Sequence, residues 1–393
     1  MKTIATVLIV LACTTVAHAG GTAVGEQNAV SAATGGAGAA RDNDPGAAWH
    51  APAALADGGG MRLGISLALA HPMLQARGAD GTWTTDSASA WATPPHVDAS
   101  FAHDKWAAGV ALGVPFGGGV TWPRPWPGAT QAVSTDLMVL RAAPFAAYRL
   151  GPIRLAAGMH FDAGRLQIQR DLDFIDMDGD VHIDLAGQGV GADASLYYAP
   201  RPDVGIGLTY RGRTTLDFAG NANFTAPDAF SEKTPDQTAK TTMVLPDQIV
   251  LGARYKRGNL TALGDVEYTR WSVNERTEVD FAVDATPTAM QENQWHDTVT
   301  LRAGAEWQRD ELTARVGGYY DPSPVPAEHL TPTAPDGTRV AFTAGAGYRI
   351  STAWSADAFA EQMWILRRDT TSVDTMAASY GGSAVVFGVG VRW

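Results

Sequence analysis

Cysteine is all but missing from this sequence: one among 393 residues, Cys13, and it falls inside a stretch with the marks of a secretory signal. Lys2 gives the positive end, Ile4 to Ala12 the apolar core, and Ala17-His18-Ala19 an A-x-A cleavage site before Gly20. Cleavage there removes the cysteine, and with it disulfides, thiol catalysis and cysteine metal sites. A rival cut at Val10-Leu11-Ala12-Cys13 loosely resembles a lipoprotein box, though it truncates the apolar core. Long hydrophobic runs are missing as well. No stretch reaches the 18 or so apolar residues of a membrane helix, and the leader itself is too short to span. Basic clusters are absent: 29 Lys and Arg stand against 41 Asp and Glu, and losing Lys2 leaves a formal charge of −13, so nothing invites nucleic acid. His71, His160, His182, His296 and His329 form no H-E-x-x-H pair. Asp176-Met177-Asp178-Gly179-Asp180 opens like a calcium loop, but the twelfth position, where a bidentate Glu is needed, is Gly187. That stretch reads as a solvated loop, and neither a metal nor a cofactor is expected.

What is present is dispersed. Hydrophobic residues make up 45% of the chain, with 43 Gly and 12 Trp, which suggests many short alternating strands, although length alone also admits a soluble all-β protein of two domains. The final stretch is the clearest. Val385, Phe387, Val389, Val391 and Trp393 share one face of an extended strand, while Gly388, Gly390 and Arg392 share the other. An ordinary sandwich strand shows such alternation. A strand finishing on an aromatic with no polar tail also fits the closing strand of an outer-membrane barrel, its apolar face toward lipid and its aromatic at the interface.

Three regions are expected: a signal peptide over 1–19, an N-terminal hatch over 20–60 and a β-barrel over 61–393. The hatch region is rich in Ala and Gly and reads either as a packed plug or as a flexible leader. From Met61 the chain repeats strand, long polar loop, strand, tight turn. Strands are expected over 61–71, 96–103, 105–117, 134–149, 153–170, 184–198, 204–218, 248–256, 260–279, 295–308, 312–320, 339–350 and 354–367, with the final strand as the fourteenth. Every second connection is short, the asymmetry of periplasmic turns and external loops, and a bilayer forbids open sheet edges. The fold class is therefore all-β, a 14-stranded antiparallel transmembrane β-barrel with an N-terminal hatch. In the tenth strand Thr298, Thr300, Arg302, Gly304 and Glu306 share the face opposite Val299, Leu301 and Trp307, and a charge at the lipid midplane costs roughly 2–4 kcal/mol, so the charged faces should point inward.

Several stretches resemble the FadL-type outer-membrane transporters of long-chain fatty acids and other hydrophobic compounds. Asp42 to Leu55 resembles the family's hatch, whose Asn-Pro-Ala motif stands here as Ala51-Pro52-Ala53 behind Trp49. Val114-Pro115-Phe116-Gly117-Gly118 resembles its third-strand signature and Leu245-Pro246-Asp247 the Leu-Pro before its eighth strand. Asp265 to Ser272 is similar to its ninth strand, and Arg315 to Asp321 with Pro322, Pro324 and Pro326 to its eleventh and the loop beyond. The missing Asn removes whatever hydrogen bonds that side chain makes.

The resemblance implies a plugged barrel in a Gram-negative outer membrane that moves a hydrophobic small molecule passively, by loop capture, lumen binding and lateral release. The release point would be an inward kink of the third strand, at Pro115, Phe116, Gly117 and Gly118, where Pro cannot donate to the ladder and Gly tolerates unusual backbone angles. An ordinary strand end entering a loop is the plainer reading of the same residues. Trp122 and Trp126 fit an apolar capture lip or interface aromatics equally. Arg254, Lys256 and Arg302 are candidates to pair with a ligand carboxylate or with other lumen charges. Expected partners are outer-membrane lipid and, through the C-terminal strand, the barrel assembly machinery, with a monomer as the working form. A barrel lipase or protease, and a structural or adhesive barrel, are the alternatives.

Overall fold

The computed structural model describes residues 21–42, 44–174, 178–372 and 375–393. The signal-peptide reading therefore lies outside the described residues, as do Asp176 and Met177. Alternation builds one closed antiparallel sheet. Its strands are β1 (Gly60–Gly78), β2 (Pro95–His103), β3 (Trp106–Thr121), β4 (Ser134–Leu150), β5 (Ile153–Asp173) and β6 (Asp178–Arg201). Next come β7 (Val204–Arg211, resuming as Thr214–Thr225), β8 (Gln237–Leu245, resuming as Gln248–Arg257) and β9 (Leu260–Thr269). The last are β10 (Thr298–Arg309), β11 (Leu312–Asp321), β12 (Arg339–Arg349), β13 (Ser355–Asp369) and β14 (Ala378–Arg392). The ring closes where β14 pairs with β1, from Gly64 opposite Arg392 to Gly78 opposite Ala378.

Two-residue turns lie at one end of the barrel: Asp104-Lys105, Gly151-Pro152, Pro202-Asp203, Gly258-Asn259 and Asp310-Glu311. Gly151 (φ 62°) and Gly258 (φ 60°) supply the left-handed backbone that tight hairpins need. The same end carries a girdle of exposed rings, among them Trp106, Tyr148, Tyr255, Trp307, Trp354 and Trp393. In β14, Phe387, Val389 and Val391 are 49%, 60% and 43% exposed while Val386 is 2% exposed, so the expected faces are the observed ones.

The strands outrun the sequence reading at the other end. β1 continues to Gly78 rather than stopping at His71. Residues 171–173 and 178–182 pair as part of β5 and β6 rather than forming a loop, out to Asp173 opposite Asp178. The gap between the strands expected over 204–218 and 248–256 shrinks to 226–236 at its outer end, because β7 and β8 pair from Leu245 opposite Thr214 to Gln237 opposite Ala222. The expected strand 260–279 is broken by a 3-10 turn, Trp271–Val273, before a short strand, Arg276–Phe281. These crests turn apolar residues such as Leu166, Val181, Ile183, Leu216 and Phe218 inward and polar ones outward, the reverse of the lipid-facing pattern that marks a membrane strand.

Residues 21–42 and 44–57 lie inside the ring. Two short helices, α1 (Ala29–Ala32) and α2 (Ala47–His50), precede a 3-10 turn, Pro52–Asp57. Asn28 caps α1 by accepting from the Ser31 N–H at 2.9 Å. Small side chains allow the close approach: Ala33, Ala37, Ala40, Ala47, Ala51 and Ala53 are all fully buried.

Candidate functional site

The inner segment is fastened by groups that the strands aim inward. The Gly38 and Ala39 N–H groups donate to Asp265 of β9 at 2.8 and 2.9 Å, and the Gly35 N–H donates to Thr343 of β12 at 3.0 Å. Arg41 pairs with Glu306 (2.6 Å), Asp42 with Arg254 (2.7 Å) and Asp44 with Arg392 (3.0 Å). Arg211 and Thr209 donate to the Trp49 and His50 carbonyls, at 2.8 and 2.9 Å. Burial, with Arg211, His96, Arg41 and Arg302 around it, holds the His50 imidazole well below its ordinary range.

The wall is interrupted at β3. Its ladder with β2 ends at Leu112 opposite Val97, and its register with β4 slips between Gly113 and Phe116, a bulge at the proline that has no N–H to give. Alternation stops there too, because Gly113, Val114, Pro115, Phe116 and Gly117 are buried one after another. The strand has turned inward, and the inner segment meets it: Val24 N–H donates to the Pro115 carbonyl (2.9 Å) and Gly117 N–H to the Thr22 carbonyl (2.8 Å). On the other side, residues 84–94 bridge to β1 and β3, through Thr84–Asp86, Ala92 opposite Ala70, and Ala88 N–H to the Thr121 carbonyl at 2.7 Å.

Above this kink lies a cavity of about 160 Å³. Gly21 and Thr22 of the inner segment line it, with Gly118 and Gly119 at the kink and an apolar wall that includes Leu137, Leu166, Met243, Leu245, Trp271 and Trp295. Thr135, Asn274, Thr277, Gln291, Asn293 and Asp336 add polarity, and no Lys or Arg is among the described residues that line it. A volume near 150 Å³ with apolar walls is enough to hold a molecule such as benzene.

The remaining sequence candidates scatter. Trp122 and Trp126 stack at 4.9 Å beside this cavity, 1% and 6% exposed, packed with Leu74, Val120 and Tyr380, and their indole N–H groups donate to the Pro332 and Ala132 carbonyls. Arg254 lines a separate polar cavity of about 290 Å³, beside the exposed Lys256, towards the short-turn end. Arg302 sits beneath the inner segment, 3.3 Å from Glu267 and over the Tyr319 ring. The three cations thus do not converge. Sequence reasoning missed the cavity walls, since Leu137, Leu166 and Leu245 are ordinary inward strand leucines and nothing local marks them as neighbours.

The sequence pattern of one family, described as outer membrane protein transport protein (OMPP1/FadL/TodX), matches residues 10–393. The chain belongs to this family. Among relatives of the OMPP1/FadL/TodX family, an outer membrane protein of Neisseria meningitidis serogroup B is 26% identical over 193 residues, 44% of this chain and 41% of that protein. The chain thus matches less than half the length of that relative. The long-chain fatty acid transport protein of Salmonella typhi is 25% identical over 301 residues, 68% of each chain. The crystal structure of a Pseudomonas aeruginosa FadL homologue superposes with a TM-score of 0.85 at 19% identity, covering 95% of this chain and 99% of that one, a likeness of fold. The barrel is that of an outer-membrane protein of this family, fourteen strands included.

Proposed function

We propose that this barrel carries hydrophobic solutes, long-chain fatty acids or hydrocarbons, passively across the outer membrane. Solutes gather under the outer loops, beside the stacked Trp122 and Trp126, rest in the apolar cavity above Gly21 and Thr22, and leave sideways past Pro115 to Gly118 into the bilayer. Residues 20–60 act as the hatch, closing the lumen so that no water-filled pore runs through. The observation that carries this reading is the end of the β2–β3 ladder at Val97 and Leu112 beside five consecutive buried residues. Sideways release suits an apolar solute, since the polar surface layer is the obstacle and the bilayer interior is favourable. The S. typhi relative named for long-chain fatty acid transport supports the substrate class.

Transport rather than hydrolysis is also the reading its most triad-like trio favours. Asp193, His160 and Thr214 line up at 2.9 and 2.7 Å, but none of the three lines the apolar cavity. The protein works as a monomer set in outer-membrane lipid, its C-terminal strand presented to the barrel assembly machinery. Uptake of radiolabelled oleate and octadecene by Gram-negative cells lacking their own transporter of this family tests the reading. Expression of this chain should speed entry of at least one, and equal rates with and without it would overturn the proposal.

A further inference from the structure

We propose that His96, held by Asp98, is the polar checkpoint of the lateral exit, the group that handles the head of an amphiphilic solute while its tail passes β3. The inference rests on the third-strand opening proposed above.

His96 and Asp98 both point inward from β2 and are 2% and 1% exposed. Asp98 lies opposite Ala111, whereas His96 is the first residue past the last rung, level with Gly113 where β3 starts to turn in. The ring occupies the room that Gly113 leaves: a Cβ there would stand 2.8 Å from His96 Nδ1, 2.6 Å from Gln27 Oε1 and 3.1 Å from the Trp49 ring. Trp49 meets the imidazole edge-on, with centroids 5.3 Å apart. The parting of β2 from β3 is thus faced on its lumenal side by an imidazole, a carboxamide and an indole.

A carboxylate only accepts, so His96 Nε2–H donates to Asp98 Oδ2 at 2.8 Å, which fixes the ring's orientation. His96 Nδ1 and Asp98 Oδ1 are left buried with no partner among the described residues. An unpartnered polar atom in such a place costs free energy, and a head group entering the site would remove that deficit. As a neutral ring, Nδ1 accepts from a hydroxyl or an undissociated carboxyl. As imidazolium it donates to a carboxylate, with Asp98 offsetting the charge. The apolar cavity above supplies no cation for this purpose. A pure hydrocarbon has nothing to offer either atom and should be indifferent to both residues. Asp98 is a positioning residue, while His96 touches the solute.

The test compares oleate with octadecene in the same cells. His96→Leu should lower initial oleate uptake roughly tenfold, the factor one charge-assisted hydrogen bond commands, and leave octadecene unchanged. Asp98→Asn should move the ratio the same way, and it decides the matter if the leucine variant does not reach its folded, heat-modifiable form. Equal loss of both probes means a structural role and overturns the proposal, as does no change in either. A bulky maleimide on a cysteine at Leu112, the outward residue of the last rung, separates the two readings. If both probes pass it freely, the lateral opening fails. If it blocks both while His96→Leu leaves the ratio untouched, only the head-group role fails.

Discussion

The carbonyl oxygen of Ala39 lies 1.6 Å from the point where a Cβ on Gly207 would stand. A strand of the wall and the inner segment therefore touch backbone to backbone, and only glycine permits it. Gly207→Val should destabilise the folded barrel by at least about 1–3 kcal/mol through overpacking. Gly264→Ala, whose added methyl would meet nothing closer than 3.7 Å, should be neutral. Urea titration of detergent-folded protein, followed by tryptophan fluorescence, compares the two.

Asp357 is 5% exposed and accepts from two cations, Arg315 at 2.8 Å and Arg392 at 2.6 Å. Arg392 reaches on to Asp44, which ties the closing strand to the inner segment. Asp357→Ala leaves the buried Arg315 and the half-buried Arg392 each short of a partner, and breaking a buried pair such as Arg315 with Asp357 costs about 3–5 kcal/mol. The same titration reads it. Wild-type stability in the alanine variant would mean that Glu306 and Asp44 take over the whole of the charge.

Trp393 exchanges two backbone hydrogen bonds with Leu63, both 2.8 Å, and rests against Trp354 at 6.5 Å. Removing it takes away the last rung of the seam along with an interface ring. Assembly into the heat-modifiable form should fall, while molecules that do assemble keep the wild-type preference between oleate and octadecene. Normal assembly with altered preference would contradict the placement.

Leu245 is 1% exposed and borders the apolar cavity of about 160 Å³. Leu245→Trp should fill much of that space and reduce uptake of both probes at least tenfold, with the barrel still folded. Mass spectrometry of molecules carried through purification gives an independent reading, since the wild type should retain an apolar ligand that the variant excludes.

His50 stays neutral in the folded protein because burial and the surrounding cations oppose its charge. The unfolded chain binds this proton near pH 6.5, before the folded chain does, so stability falls as the pH drops below about 6.5. His50→Gln should flatten that part of the stability curve relative to wild type. Identical pH profiles would remove His50 as the cause.

Much of the barrel can be read from local pattern. Phe387 to Trp393 alternates strictly because one face meets lipid and the other meets packed atoms, and both demands act on adjacent residues. Pro115 with its following glycines marks the kink for a similar reason, since a missing N–H is a property of the residue itself. The fastening of the inner segment is a different matter. Asp265 receives Gly38 and Ala39, and Arg254 receives Asp42, only because the ring has closed around them, and an acidic or basic residue on an inward face looks the same whether its partner is a ligand, a neighbour or a plug. Trp122 and Trp126 were open between lip and girdle because their burial depends on which outer loops fold back, information carried by Pro332 and Tyr380 far along the chain.

The seam between β1 and β14 also makes the enclosure. It joins two strands separated by all the others, so a single pairing turns an open sheet into a walled space. Residues 21–42 and 44–57, adjacent in the chain to one side of the seam, are held within that wall. The Gly207 and Gly317 contacts, backbone against backbone, leave the held segment no room to shift against it.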